Sequence, residues 1–253
     1  MIRWQEARAD LIAGFGLLTR LPMPRGIQGS PLGRSVWTWP LVGLVVGAIG
    51  AGVYALALHC HLWPLIAATL AVLVMAAITG ALHEDGLADT ADGIGGGSTP
   101  ERRLAIMKDS RIGSFGAMAL IGSFALRVFT ITQIAEPRVV AAIVIAAAVL
   151  VRAAMPGVLM LSPAARPEGL AASLGMPDRA RIGAGWLIAA ILCLIFLAPH
   201  HAVAAVIGAV VVAFGMAAAG RKMLGGYTGD TLGATEQLTE CVVLLVLVAM
   251  FGG

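Results

Sequence analysis

Charge is what this sequence has least of. Of its 253 residues 12% are charged and 59% are hydrophobic, where a soluble domain usually carries about 25% and 45–50%. The shortage is also uneven. No Asp, Glu, Lys or Arg occurs in the 49 residues between Arg34 and Glu84, nor in the 39 between Arg181 and Arg221. A membrane-spanning helix needs about 20 apolar residues, so each stretch holds two helices and a tight turn. The turns are visible as His59-Cys60-His61 with Trp63-Pro64, and as Pro199-His200-His201. A soluble globular domain is excluded. Cysteine is scarce too: Cys60, Cys193 and Cys241 are scattered in or beside apolar segments, which implies packing residues and neither a disulfide framework nor a thiolate metal site. Residues 1–35 have no uninterrupted apolar core before a small-residue cleavage site, so no cleavable signal peptide is expected. The Walker pattern of a P-loop is missing, and so is any convincing internal repeat.

What is present reads as an all-α, polytopic helical membrane bundle of six or seven transmembrane helices, taken as one domain over residues 1–253. The predicted spans are 36–58, 63–82, 113–135, 139–161, 183–199, 202–219 and 238–253, the last short enough to be re-entrant. With a cytoplasmic N-terminus the inner segments are 1–35, 83–112, 162–182 and 220–237. These hold 14 of the 17 Lys and Arg residues. Basic loops resist translocation, so this topology is favoured over its inverse. The formal charge of +3 therefore records topology and gives no sign of nucleic acid. Residues 4–21 read as an amphipathic helix within the cytoplasmic N-terminal segment, with Leu11, Phe15, Leu18 and Leu21 to one side and Arg8 and Asp10 among its polar groups.

The polar residues gather on that inner side; of the fourteen acids only Glu136 falls on the outer side. In His83-Glu84-Asp85-Gly86-Leu87-Ala88-Asp89-Thr90-Ala91-Asp92-Gly93, a helix puts Asp85, Asp89 and Asp92 at i, i+4 and i+7, within an arc of about 60°. Three carboxylates on one stripe repel unless a cation sits among them. A hard divalent ion such as Mg²⁺, taking carboxylates, phosphates and water, fits that pattern; a solvated acidic face is the plainer alternative. His83 abuts the stripe and could orient it.

Gly93-Ile94-Gly95-Gly96-Gly97 should not continue a stable helix, since glycine costs about 1 kcal/mol there, and would let a ligand approach the backbone closely. Ser98-Thr99-Pro100-Glu101 reads as a capping box opening a short helix that carries Arg102 and Arg103. Met107-Lys108-Asp109-Ser110-Arg111-Ile112-Gly113 follows. Acids, glycines and then clustered bases suit a metal-bridged phosphate held by Lys and Arg from the far side. Two further polar islands are Gly220-Arg221-Lys222 running on to Gly225-Gly226-Tyr227-Thr228-Gly229-Asp230, with Glu236 and Glu240 beyond, and Arg166-Pro167-Glu168-Gly169-Leu170. Arg152, deep in an apolar span, should face the bundle interior with an anionic partner. Arg127 is nearer a span end, where snorkelling to the outer surface competes with that reading.

The segments Leu82–Gly93 and Met107–Gly116 resemble the signatures of the cobalamin synthase family, the adenosylcobinamide-GDP ribazoletransferases. Thr19-Arg20-Leu21-Pro22, Arg166–Leu170 and Gly225–Asp230 add matches along the whole chain, and Ser114 stands where the family often has Thr. The resemblance implies a Mg²⁺-dependent enzyme of the bacterial cytoplasmic membrane, its site facing the cytoplasm. It would join adenosylcobinamide-GDP to α-ribazole or its 5′-phosphate and release GMP. On this sequence it puts Mg²⁺ on Glu84, Asp85, Asp89 and Asp92, with Asp89 and Asp92 also catalytic and Asp92 favoured as the base. Lys108 and Arg111 would hold the donor's phosphates. His83, Arg102, Arg103, Asp109, Ser110, Arg152, Asp230 and Glu236 complete the expected substrate contacts. A homo-oligomer, or association with other enzymes of cobalamin synthesis, is a further expectation. Two other readings share some of these features: a membrane phosphotransferase of the CDP-alcohol type, and a secondary transporter.

Overall fold

The computed structural model describes residues 4–24, 29–167 and 174–251, so the stretch 168–173, which includes Glu168, Gly169 and Leu170, lies outside the described residues. The described chain is helical: α1 Trp4–Leu18, a 3₁₀ segment Leu32–Thr38, α2 Trp39–His59, α3 Pro64–Thr79, α4 Leu82–Gly96, α5 Pro100–Ile106, α6 Ser114–Ile134, α7 Pro137–Leu161, α8 Arg179–Phe196, α9 Pro199–Leu224 and α10 Gly229–Phe251. Six of these helices, counting the 3₁₀ segment with α2, are long and apolar enough to cross a membrane. The pair α3 and α4 would make a seventh span, broken by a bend of 90°.

The centre is α7, which is buried along most of its length. Its run of Ala, Val and Ile offers a smooth surface, and α2 lies against it through glycine. A methyl group on Gly43 would strike the Ala148 carbonyl, and one on Gly47 would come within 2.9 Å of the Ile145 Cα. Small residues let membrane helices approach closely where no hydrophobic drive favours protein over lipid. The outward faces stay apolar, as lipid contact requires: Ile121, Phe129, Leu187, Ile195, Val211 and Phe214 are all exposed.

Two departures from the sequence reading matter for the site. First, α10 is a complete span of 23 residues beginning at Gly229, so the polar residues expected in a loop over 220–237 lie largely inside a helix. Thr228 and Thr231 cap it reciprocally, each backbone N–H donating to the other hydroxyl at 2.8 and 3.1 Å. Second, the helix α4 continues through Gly93, Gly95 and Gly96. The glycine run survives because its surface is covered: Met107, Phe115 and Arg103 pack where methyl groups would stand on Gly93, Gly95 and Gly97. The close approach that glycine permits is taken by the chain's own side chains.

The bend into α4 is made by Gly80 and Ala81, both left-handed with φ of 66° and 54°. Arg20 lies against Gly80 where a Cβ would stand, and its N–H donates to the Ile78 carbonyl at 2.7 Å. The N-terminal segment therefore fixes the angle at which α4 enters.

Asp10, expected on the polar face of α1, is fully buried. Its Oδ2 accepts from the Trp37 indole at 2.9 Å and from Arg181 at 3.0 Å, and Arg34 stands 3.5 Å from Oδ1. Burial pushes its pKa up, but the nearby Ser30 hydroxyl, the hydrogen bonds from Trp37 and Arg181 and the charge of Arg34 outweigh it and hold the group below the ordinary carboxylate value. A depressed folded pKa adds stability that is complete above the unfolded value, about 3.9, and is lost as pH falls through the folded value. Asp10→Asn should therefore lower the melting temperature in detergent at pH 6, and the gap to the wild type should narrow below about pH 4. A gap constant across that range would show that Asp10 carries no such linkage.

Candidate active site

The polar motifs meet where α4 crosses the start of α10. Glycine makes the crossing possible: a methyl group on Gly86 would come 2.7 Å from the Asp230 carbonyl, and one on Gly233 would come 3.1 Å from the His83 carbonyl. The third strip joins by backbone pairing. Tyr227 N–H donates to the Pro163 carbonyl and Ala165 N–H to the Tyr227 carbonyl, both at 2.8 Å, which holds Arg166 beside Asp230. A cavity of about 260 Å³ opens there. Asp85, Arg166, Thr228, Asp230 and His83 supply its polar lining, and Leu17, Leu18, Trp39, Met155 and Leu232 are among its apolar walls. Asp85 is exposed and Asp89, Arg166 and Asp230 are half-buried, while His83 is buried. The acids thus stand towards the mouth and the imidazole at depth.

The stripe on α4 divides three ways. Asp85 lines the cavity. Asp89 feels the negative charges of Asp85, Asp230 and Asp92, with Arg166 set against them. Asp92 is turned to the neighbouring helix: its Oδ2 accepts from Gly113 N–H at 2.7 Å and its Oδ1 from Gly116 N–H at 2.9 Å. It caps the start of α6, where free N–H groups and the helix dipole favour a carboxylate. Methyl groups on Gly113 or Gly116 would strike that carboxylate, so the acidic motif and the Met107–Gly116 motif interlock through these glycines.

Glu84 points inward, away from the stripe. Its Oε1 lies 3.4 Å from Arg127 and accepts from Gln237 at 3.1 Å. Arg127 is buried and also pairs with Glu240 at 3.2 Å, so it does not snorkel. Arg152, also buried, lies 3.4 Å from Glu236 and donates to the Ala148 carbonyl. Gln237 donates to Glu236 at 3.0 Å and accepts from Ser123 at 2.8 Å. Glu236 in turn lies 3.5 Å from His83 Nδ1. One buried network thus ties α4, α6, α7 and α10 together under the cavity.

Other expected residues stand apart from it. Lys108, Ser110 and Arg111 are exposed, and none of the Lys108–Arg111 strip lines the cavity. Arg111 is bound to Asp109 at 2.6 Å, which holds that carboxyl down at about 2. Arg103 donates to the Gly97 and Met223 carbonyls, both at 3.0 Å, a link between α5 and the end of α9. Arg102 is exposed; its N–H donates to Thr99, the cap of α5, one residue later than the sequence suggested.

A sequence model described as cobalamin-5-phosphate synthase matches residues 10–248. The chain belongs to that family. It is 42% identical to the adenosylcobinamide-GDP ribazoletransferase of Bradyrhizobium diazoefficiens over 95% of this chain and 94% of that protein. The proteins of the same name from Rhizobium etli and Rhizobium meliloti are 42% and 43% identical, covering 96% and 95% of this chain and 97% and 96% of theirs. No solved structure matches the chain. As a member of the cobalamin-5-phosphate synthase family, this chain brings the residues of three separated motifs to one cavity, through Asp85, Arg166 and Asp230. Arg166, Arg127 and Gln237 are the additions that sequence reasoning did not assign to the site.

The donor set suits a hard cation. Its possible ligands at the mouth are carboxylate oxygens, with no cysteine and no exposed histidine beside them among the described residues, the chemistry that selects Mg²⁺, Ca²⁺ or Mn²⁺ over Zn²⁺. Among the described residues no ready-made cluster of three metal ligands exists. An ion held by one or two carboxylates and completed by substrate phosphate and water is the ordinary arrangement for Mg²⁺.

Proposed function

We infer that this chain joins adenosylcobinamide-GDP to α-ribazole or its 5′-phosphate, forming adenosylcobalamin or its 5′-phosphate with release of GMP. The observation that carries the reading is the convergence of Asp85 on α4, Asp230 on α10 and Arg166 at a single cavity mouth, with Asp89 near enough to feel the charges of all three. A diphosphate brings negative charge to a place already rich in carboxylates, so it needs cations of both kinds: Arg166 from the protein and a divalent ion. Phosphoryl transfer asks mainly for positioning and charge neutralisation. One or two of Asp85, Asp89 and Asp230, with substrate phosphate and water, would hold Mg²⁺, which when bound supplies charge stabilisation on the transferring phosphate and its departing GMP.

The chain's own groups do the rest. Arg166 holds a non-bridging phosphate oxygen by a charge-assisted hydrogen bond. Asp92, by capping α6, fixes the Met107–Gly116 hairpin against α4 and acts as a positioning residue in this reading. Lys108 is left exposed to meet the guanylate end outside the cavity. The basic loops favour a cytoplasmic-membrane location with the mouth facing the cytoplasm.

Purified protein given both substrates and Mg²⁺ should yield corrinoid product and GMP in equal amounts, and EDTA should stop both. Folded protein that makes no product with either form of the acceptor overturns the reading.

A further inference from the structure

The cavity is too small for the corrinoid. Drug-sized ligands occupy roughly 300–1,000 Å³, and a corrin ring with its amide arms is far larger than such a ligand; this cavity holds about 260 Å³. Its lining also changes character with depth. Carboxylates and Arg166 surround the mouth, whereas Leu17, Leu18, Trp39, Met155 and Leu232 make apolar walls. The Trp39 N–H is already spent on Ser35 Oγ at 3.1 Å, so the indole offers the cavity only its ring.

His83 is the exception among those walls. It is 2% exposed and lines the cavity. Its Nδ1 lies 3.5 Å from Glu236 Oε1, and that carboxylate is itself held by Arg152 and Gln237. A proton on Nδ1, the nitrogen that faces this carboxylate, leaves Nε2 with its lone pair. Nε2 is buried and finds no partner among the described residues. A buried polar atom without a partner is costly, and this one belongs to a side chain that lines a cavity, where a ligand that donates a hydrogen bond would satisfy it.

Resting on the transferase reading, we propose that this cavity is the site of the acceptor nucleoside, with the corrinoid remaining outside the mouth. The flat two-ring base lies between Trp39 and the leucines, and a ribose hydroxyl donates to His83 Nε2. That hydroxyl then faces the acids and Arg166, where the donor's diphosphate is held. His83 is a binding residue that orients the nucleophile, and Glu236 is the positioning residue that fixes its ring.

Steady-state kinetics on Leu17→Trp, His83→Leu and His83→Gln test the proposal, each variant checked for folding by its melting curve in detergent. Leu17 is only partly buried, so a larger ring there narrows the cavity with little demand on the core. Leu17→Trp and His83→Leu should raise the KM for α-ribazole about tenfold or more while the KM for adenosylcobinamide-GDP stays within about twofold. His83→Gln, which keeps an acceptor reaching into the cavity, should recover much of the loss. An active Leu17→Trp enzyme with an unchanged acceptor KM, or with the donor KM raised instead, overturns the acceptor site and leaves the transferase reading intact. Failure of folded wild-type protein to turn over defeats both.

Discussion

Asp89→Asn should lower kcat by about 10²–10³-fold, the usual loss when one preorganised electrostatic group is removed from a reacting centre. Asparagine keeps the shape and removes the charge. The expected effect on stability has the opposite sign, which separates a functional role from a structural one. Asp89 sits among the charges of Asp85, Asp230 and Asp92, so neutralising it relieves repulsion, and the variant should melt no lower than the wild type. Parallel measurement of turnover and of melting in detergent checks both halves. Activity within about tenfold of the wild type would remove Asp89 from the chemistry, and a large fall in melting temperature would make it structural.

Arg127→Met should cost about 3–5 kcal/mol of stability, the magnitude seen when one partner of a buried ion pair is removed. Arg127 is 3% exposed and stands between Glu84 and Glu240 at 3.4 and 3.2 Å. Without it Glu84 and Glu240 stay inside the bundle with no paired cation among the described residues. Adding Glu240→Leu should return part of the loss, because contacting residues do not add independently. Chemical unfolding of the single and double variants measures it. A cost below about 1 kcal/mol would mean that the pair behaves as an exposed one.

The length of the apolar stretches and the spacing of charges are enough to place most of the spans within a few residues, since those signals are local. Where the structure differs from the sequence pattern, a contact between distant segments is the reason. Arg127 could not be told from a snorkelling arginine, because its partners lie 43 and 113 residues away. The helix α10 begins at Gly229, nine residues before the span expected from hydropathy, because Asp230, Glu236 and Glu240 lower the hydropathy of a segment whose burial depends on Arg127, Arg152 and Gln237. Glycine in α4 looked like a helix stop because Met107, Phe115 and Arg103, which cover it, arrive from the next hairpin.

The site was legible in part. The i, i+4, i+7 stripe was visible as a pattern, but its division was not. Asp85 lines the cavity, Asp89 stands among the acids and Asp92 caps α6, and that outcome depends on where α6 and α10 cross. Arg166 carries no spacing signal of its own. It enters the site through the backbone pairing of Pro163 and Ala165 with Tyr227. The bend at Gly80 and Ala81 is a broken helix, a feature shared with transporters; here it delivers an acidic helix to a cavity mouth.

Acids of α4 and α10 that hold a divalent ion together with the donor's diphosphate, as proposed, would leave a magnetic signature. Electron paramagnetic resonance of Mn²⁺, which accepts the same oxygen ligands as Mg²⁺, reads that signature. Wild-type protein in detergent should immobilise Mn²⁺ weakly alone and strongly once adenosylcobinamide-GDP is added. The Asp85→Asn, Asp89→Asn, Asp230→Asn triple variant should lose the donor-dependent signal while keeping its melting temperature. An undiminished signal from the folded triple variant would contradict that proposal and put the ion elsewhere.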